Sequence, residues 1–222
     1  MLSIIIPTLD EATVIGKTLA HTQRLDGDYE ILVVDGESTD ATRKIAEQTG
    51  VRVIKANRGL RHQLETGVKE AKGDSYLFLH ADTLLPMDAI SRVNELEGYS
   101  ACGFKQRYDA FNILANTQAL INNGNAKLFG RFCGEHAFFL TKQSLLAAGG
   151  VPHVHAFETE RLSSELKKVG IKPELLTGPV VCSARRFTKR GISTFLGLNW
   201  AHGLNGLGFA DWKLKKHFLK VR

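Results

Sequence analysis

The chain has 222 residues, 43% hydrophobic and 23% charged, a balance that suits one well-filled globular domain and excludes a disordered or low-complexity protein. Three cysteines, odd in number and far apart, exclude a disulfide scaffold and a paired-cysteine zinc site, and they are read as reduced core residues of a cytoplasmic protein. The formal charge of +6 is concentrated near the end, where Arg185, Arg186, Lys189, Arg190, Lys213, Lys215, Lys216, Lys220 and Arg222 face only Asp211, so an anionic partner is expected.

No apolar run approaches the ~18 residues that a membrane-spanning helix needs. Asp10-Glu11 interrupts the apolar start too early for a signal peptide. Any membrane contact is therefore expected to be peripheral, on an inner anionic surface.

Ser3 to Pro7 is a β-branched run closed by Pro-Thr and reads as a buried strand. A helix from about Ala12 to Arg24 follows, with Asp10 and Glu11 near its positive end. Ile31 to Val34 is the next strand, ending at Asp35-Gly36, and a helix from about Ala41 to Gln48 closes at Gly50. Val51 to Ile54 is a third strand and Leu60 to Lys72 a third helix. Ser75 to Leu79 is a fourth strand, leading into His80-Ala81-Asp82. Strands alternating with helices imply a parallel sheet.

The second half is less regular. A strand over Ala101 to Tyr108, a helix over Phe111 to Leu128 and a short strand over Phe138 to Leu140 are expected. Helices over Lys142 to Ala148 and Glu158 to Val169, and a strand over Val180 to Ala184, complete the pattern. Beyond it, glycines interrupt Phe195, Leu196, Trp200, Leu204, Leu207 and Trp212, which suggests loosely held amphipathic helices. One domain is expected: a nucleotide-binding half to about residue 100, an acceptor half to about 185, and a basic aromatic end over 186–222.

Three loops carrying carboxylates follow three parallel strands: Asp10-Glu11, Asp35 and Asp82. In open α/β sheets ligands gather outside the carboxyl ends of strands, so these loops are read as one site. A carboxylate there accepts from a ribose hydroxyl or a base N–H, or holds a divalent cation carrying phosphates. The structural alternatives are a turn at Asp35 and a helix cap at Asp82-Thr83. Arg58-Gly59-Leu60-Arg61-His62-Gln63 opens the third helix, where cations beside free N–H groups suit a diphosphate. Neither a Gly-x-Gly-x-x-Gly turn after the first strand nor a phosphate loop ending Gly-Lys-Ser/Thr is present, which removes the main support for a dinucleotide enzyme or a P-loop NTPase.

Ser-Ile-Ile-Ile-Pro-Thr-Leu-Asp-Glu, Val-Val-Asp-Gly-Glu-Ser-Thr-Asp and Phe-Leu-His-Ala-Asp-Thr, in this order, resemble the family-2 glycosyltransferases of the GT-A fold. More narrowly, they resemble a bacterial branch with His-Ala-Asp in place of Asp-x-Asp. Ser183-Ala184-Arg185-Arg186-Phe187 also resembles that branch. The resemblance implies a mostly parallel central sheet flanked by helices, a nucleoside-diphosphate sugar donor, and inverting transfer to an unidentified saccharide or lipid-linked acceptor. It implies that Pro7, Thr8, Asp10 and Glu11 line the nucleoside pocket and that Asp35 meets the base. Arg58, Gly59, Arg61, Gln63, Ala81, Arg185 and Arg186 would surround the donor. Asp82, with His80 as a second ligand, would hold Mg²⁺ or Mn²⁺ on the diphosphate.

The same resemblance places an aspartate base where this chain has Thr159. Glu158, Glu160 and Glu135 are the substitutes. Two residues apart on a helix, Glu158 and Glu160 point about 200° apart, so one of them at most is expected to face the donor. His153 and His155 are read as surface residues rather than ligands, and Asn116, Asn122 and Asn123 as candidates for touching the acceptor. The rival readings are a sugar-phosphate nucleotidyltransferase, weakened by the lack of a glycine- and lysine-rich first loop, and a nucleotide-sugar or polyanion-binding protein without a base. Nucleic-acid binding rests on the charged tail alone and is not expected.

Overall fold

The computed structural model describes residues 1–96, 100–154 and 156–206. Leu2–Thr8 forms β1, Tyr29–Asp35 β2, Arg52–Lys55 β3 and Ser75–Phe78 β4. Ile4, Ile5, Ile6, Leu32, Val33 and Val34 are fully buried, as a parallel strand covered on both faces requires. Each such side chain stabilises the fold by about 1.5–3 kcal/mol. β1 lies between β2 and β4, with β3 outside β2, all in parallel. The crossovers are α1 (Ile15–Thr22), α2 (Thr42–Gln48) and α3 (Leu60–Glu70).

The chain continues through β5 (Thr83–Leu84), α4 (Ala89–Asn94), β6 (Ala101–Tyr108), α5 (Ile113–Phe129) and a 3-10 turn at Gly134–His136. β7 (Phe138–Thr141), α6 (Lys142–Ala147), α7 (Glu158–Lys168), β8 (Glu174–Cys182) and α8 (Arg185–Gly206) follow. One eight-stranded sheet runs β3-β2-β1-β4-β7-β6-β8-β5. The expectation of a mostly parallel sheet holds, four neighbouring pairs being parallel, while the three antiparallel pairs all involve strands of the second half or β5. The reversal has a plain cause. The chain enters β7 from the 3-10 turn at the carboxyl edge and runs back beside β4, Phe138 opposite Phe78 and Thr141 opposite Ser75.

Several boundaries also move. Residues 11–14 form a turn, with the N–H groups of Val14 and Ile15 both donating to Glu11 O at 3.0 Å, so α1 starts three residues later than expected. Thr83 belongs to β5, and the next helix starts only at Ala89, which removes the reading of Asp82-Thr83 as its cap. β8 starts at Glu174 and leaves the sheet before Ser183. The end expected to be loosely held is one helix kinked at Gly191, anchored by buried Phe187, Thr194 and Ala201. His155 and residues 207–222, including Leu207, Trp212 and the basic run to Arg222, lie outside the described residues.

Candidate active site

The register brings the carboxylate loops together. Thr8 at the end of β1 is paired with Asp35 at the end of β2, and Leu79 N, just past β4, donates to Ile5 O at 3.0 Å. All three loops therefore leave one sheet edge. Asp35 is buried; its Oδ2 accepts from Ser38 N at 3.1 Å and its Oδ1 lies 3.5 Å from Thr8 Oγ1. The turn reading of Asp35 is thus correct as far as it goes. Gln63 ties the same edge from α3: its amide donates to Thr8 O at 2.6 Å and to Val34 O at 2.9 Å. Gly36 makes that approach possible, since a Cβ there would sit 2.8 Å from the Gln63 amide carbon.

Asp10, expected as a charge near the positive end of α1, is engaged elsewhere. With φ 55° it turns its carboxylate onto the next loop, accepting from Thr39 N at 2.7 Å, Thr39 Oγ1 at 3.1 Å and Asp40 N at 3.3 Å. Glu11 instead points to the charged centre, where it is ion-paired with Arg185; the same guanidinium is 3.2 Å from Asp82 Oδ2. Arg186 approaches Glu135 at 3.9 Å, and Tyr108 donates to the other Glu135 oxygen at 2.9 Å. Three carboxylates thus surround two guanidinium groups. Burial raises the Glu11 pKa against the pull of Arg185, and burial followed by the Asp82 charge outweighs Arg186 to raise that of Glu135. For Arg186 burial opposes the charge, but Glu135, Asp82 and Glu11 together outweigh it and its pKa rises.

Beside this cluster is a cavity of about 390 Å³. Arg58, Gly59, Arg61 and Gln63 line one side, His80 and Arg186 another, and Glu135, Glu158 and Glu160 a third. Pro7, Thr8, Asp10, Glu11, Asp35, Ala81, Asp82 and Arg185 are not among its lining residues, so the expected donor residues divide between the cavity and the adjacent edge. The expectation that only one of Glu158 and Glu160 faces the site is corrected: both line the cavity, as does Thr159, because it wraps the first turn of α7. Phe157, in left-handed conformation at φ 61°, delivers that turn. His80 lodges its ring against Gly134, where a Cβ would lie 2.2 Å from Nε2. Asn122 is buried and lines the cavity, whereas Asn116 is exposed and Asn123 holds the Gln106 backbone at 2.9 and 3.0 Å. His153 is exposed and 3.5 Å from Glu65, consistent with a surface residue.

The sequence reading missed two residues of this wall, Gln118 and His202, and one that supports it, Tyr108. Tyr108 holds Glu135, Gln118 hydrogen-bonds Asn122 at 2.9 Å, and His202 meets Glu160 at 2.5 Å. A helical signal for the last existed, since His202 follows Leu198 by four residues and Phe195 by seven, both partly buried.

Among the described residues no group of three or more His, Cys, Asp or Glu side chains is arranged to hold a metal by itself. The donor set still fits a cation that arrives with phosphates, because Mg²⁺-type sites use one or two carboxylates and take the remaining oxygens from substrate and water. Asp82 is the fitting carboxylate: its side chain is mostly buried yet already pairs with a cationic group.

Residues 3–111 match the family model for glycosyl transferase family 2. A PGL/p-HBAD biosynthesis glycosyltransferase of Mycobacterium bovis (strain BCG / Pasteur 1173P2) is 40% identical over 102 residues, 42% of this chain and 40% of the relative. An undecaprenyl-phosphate 4-deoxy-4-formamido-L-arabinose transferase of Proteus mirabilis is 26% identical over 153 residues, 62% of this chain and 47% of the relative. The chain thus matches less than half the length of these curated relatives. Among solved structures, the mannosyltransferase PcManGT from Pyrobaculum calidifontis, in complex with GDP-Man and Mn²⁺, superposes with a TM-score of 0.66 at 18% identity, over 99% of this chain and 73% of that one. The fold is that of the GT-A glycosyltransferases, and residues 3–111, just under half of the chain, match glycosyl transferase family 2.

Proposed function

We propose that the chain is an inverting glycosyltransferase, moving a sugar from a nucleoside-diphosphate donor to an acceptor hydroxyl. The observation that carries this reading is the meeting of Glu11 and Asp82, from two strand-end loops, and Glu135, from the 3-10 turn, with Arg185 and Arg186 beside one cavity. Thr8 and Asp35 at the sheet edge face the nucleoside. Arg58 and Arg61, at the start of α3, and Arg186 supply positive charge where the diphosphate accumulates it as the sugar–phosphate bond breaks. Asp82 and the diphosphate would hold Mg²⁺ or Mn²⁺, with His80 a second candidate ligand; when bound, the cation neutralises the leaving group. Inversion requires the acceptor oxygen to attack from the face opposite that leaving group. Glu135, Glu158 and Glu160 line the cavity on the side where the acceptor would lie, so the acceptor proton is given up against an acidic wall. The PcManGT complex with GDP-Man and Mn²⁺ supports the donor and metal classes.

The test is a panel of uridine and guanosine diphosphate sugars with Mn²⁺, read by thermal shift and by release of free nucleoside diphosphate. One donor class is expected to stabilise the protein and to turn over slowly even without acceptor. Binding with neither hydrolysis nor transfer, across hydroxyl acceptors, would favour the non-catalytic binding protein.

We infer also that the acceptor side rests on an anionic membrane surface. No helix among the described residues is long and apolar enough to cross a membrane. Phe111, just before α5, with Ile113, Leu120 and Leu128 on it, and Ile192, Leu196 and Trp200 on α8, are nevertheless exposed. Other side chains of the same two helices, Asn122 and Leu198 among them, line the cavity. Burial of apolar side chains together with attraction of basic residues is how interfacial helices bind. Sedimentation with phosphatidylglycerol vesicles, and not with phosphatidylcholine alone, is the expected outcome. The double variant Leu120→Glu/Trp200→Glu should weaken it more than about tenfold, since each apolar anchor contributes about 1.5–3 kcal/mol when buried. Equal sedimentation of the double variant would end this reading.

A further inference from the structure

The geometry points to His202 as the catalytic base of this chain, with Glu160 as its positioning residue. The inference deepens the glycosyltransferase reading and rests on it. α7 and α8 bring together two residues 42 apart in sequence: His202 Nδ1 is 2.5 Å from Glu160 Oε1, inside hydrogen-bond range. A carboxylate on Nδ1 fixes the tautomer in which that nitrogen carries the proton, and the lone pair of Nε2 is then the proton-accepting site. His202 lines the cavity together with Glu135, Glu160 and Arg186, so its imidazole belongs to the wall that the acceptor would meet. The ring of Phe157 packs against it, centroid to centroid 4.8 Å, and limits its rotation.

This arrangement answers the substitution at Thr159. Threonine has no carboxylate to take a proton, so α7 carries no base at that position, and Glu160 stands one residue later. The helix places Glu160 under His202, and the dyad presents a basic nitrogen to the same cavity. In the transfer step the acceptor O–H proton moves to Nε2, the acceptor oxygen forms the bond to the anomeric carbon, and the sugar–phosphate bond breaks with its electron pair leaving on the diphosphate. The imidazolium that results is paired with the Glu160 carboxylate, and its proton later returns to water.

The groups facing His202 set its working range. Burial disfavours the charged ring, but the Glu160 hydrogen bond and charge, then Glu135, outweigh burial and Arg131, and the pKa rises above the ordinary histidine value. His136 stays neutral nearby, its pKa held at about 4 mainly by burial. A base must be unprotonated to act, so the rate should climb with pH through that raised value, on the alkaline side of pH 6.5.

Two measurements on the full-length protein decide the matter. In nitrogen-edited NMR of the histidine side chains, His202 is expected as the Nδ1–H tautomer at high pH with a raised midpoint, and Glu160→Gln, which keeps an acceptor oxygen but removes the charge, should lower that midpoint. In steady-state transfer, His202→Gln should lower kcat by about 10²–10⁴-fold while leaving donor KM unchanged, which also reports that the variant is folded. Glu160→Gln should lower kcat less and shift the acid limb of the pH profile downward. The proposal is overturned by a His202→Gln enzyme with wild-type kcat and pH profile, or by an Nε2–H tautomer in the free protein. It is likewise overturned if Glu158→Gln or Glu135→Gln abolishes the acid limb while His202→Gln retains it. If the wild-type protein transfers sugar to no hydroxyl acceptor, the glycosyltransferase reading fails and the base with it, whereas the titration still reports whether the dyad exists.

Discussion

Asp82→Ala is expected to remove Mn²⁺-dependent stabilisation by nucleoside diphosphate and to lower donor turnover by about 10²–10³-fold, the equivalent of the several kcal/mol that a bound cation contributes to a leaving group. The fold should survive. The Asp82 carbonyl, which accepts from Ser183 N at 3.1 Å, is unchanged by the substitution, and the carboxylate contributes no helix cap. What changes is the charge around Arg185: its guanidinium keeps Glu11 and loses its second partner. Asp82→Asn, which retains shape and loses charge, should behave like the alanine variant if charge on a cation site is the cause. Turnover measured with and without chelator, together with thermal shifts, reads both effects. A variant stabilised by nucleoside diphosphate to the wild-type extent, with or without metal, would show that Asp82 is not the metal carboxylate.

Phe132→Ala is expected to be the most damaging substitution for stability, at about 3–5 kcal/mol. Phe132 is fully buried, its ring centroid 5.4 Å from those of both His136 and Phe138. Its edge fills the space left by Gly103 on β6, where a Cβ would come within 2.5 Å of the ring. The ring therefore fixes the turn carrying Glu135 to the floor of the sheet. For a chain of this size each kcal/mol moves the melting temperature by about 2–4 °C, so a fall of about 6–20 °C should appear in calorimetry. Phe132→Leu, which restores much of the volume, should recover more than half of it. A fall below about 2 °C would mean that the turn is held by its hydrogen bonds rather than by the ring.

The first half was legible because its physics is local. Buried parallel strands read as unbroken aliphatic runs, and Asp35 and Asp82 stand where those runs stop, so both the elements and the shared edge follow from the order of residues. Even there the roles shifted: Asp10 looked like a helix-end charge, yet its positive φ turns it onto the Thr39 loop, a choice that no spacing encodes. The second half depends on distant pairing. β8 carries Gly178-Pro179 and alternates exposed with half-buried positions, so it lacks a clean pattern, and two-residue β5 exists only because Thr83 and Leu84 meet Cys182 and Val181. His202 escaped for the same reason: its meaning comes from Glu160 on another helix, and the surrounding glycines hide the helical face. The glutamates of α7 were found and their geometry misjudged, because the opposed directions that hold along a helix flank do not bar two side chains from one cavity at its first turn.

The tie between β5 and β8 also bears on how the molecule comes into being. The parallel strands β1 to β4 are assembled from neighbouring crossovers, and their closing loops are short. Arg185 reaches Glu11 across a sequence separation of 174, and Thr83 meets Cys182 across one of 99. Closing such loops carries an entropic cost that contacts made later must offset, and pairings of large sequence separation form slowly. During synthesis the strands of the donor half can therefore gather before the strand that completes the charged centre has been made. Until β8 docks, Glu11 and Asp82 lack their arginine, and a truncated product would present the carboxylate edge of the sheet without its cationic half.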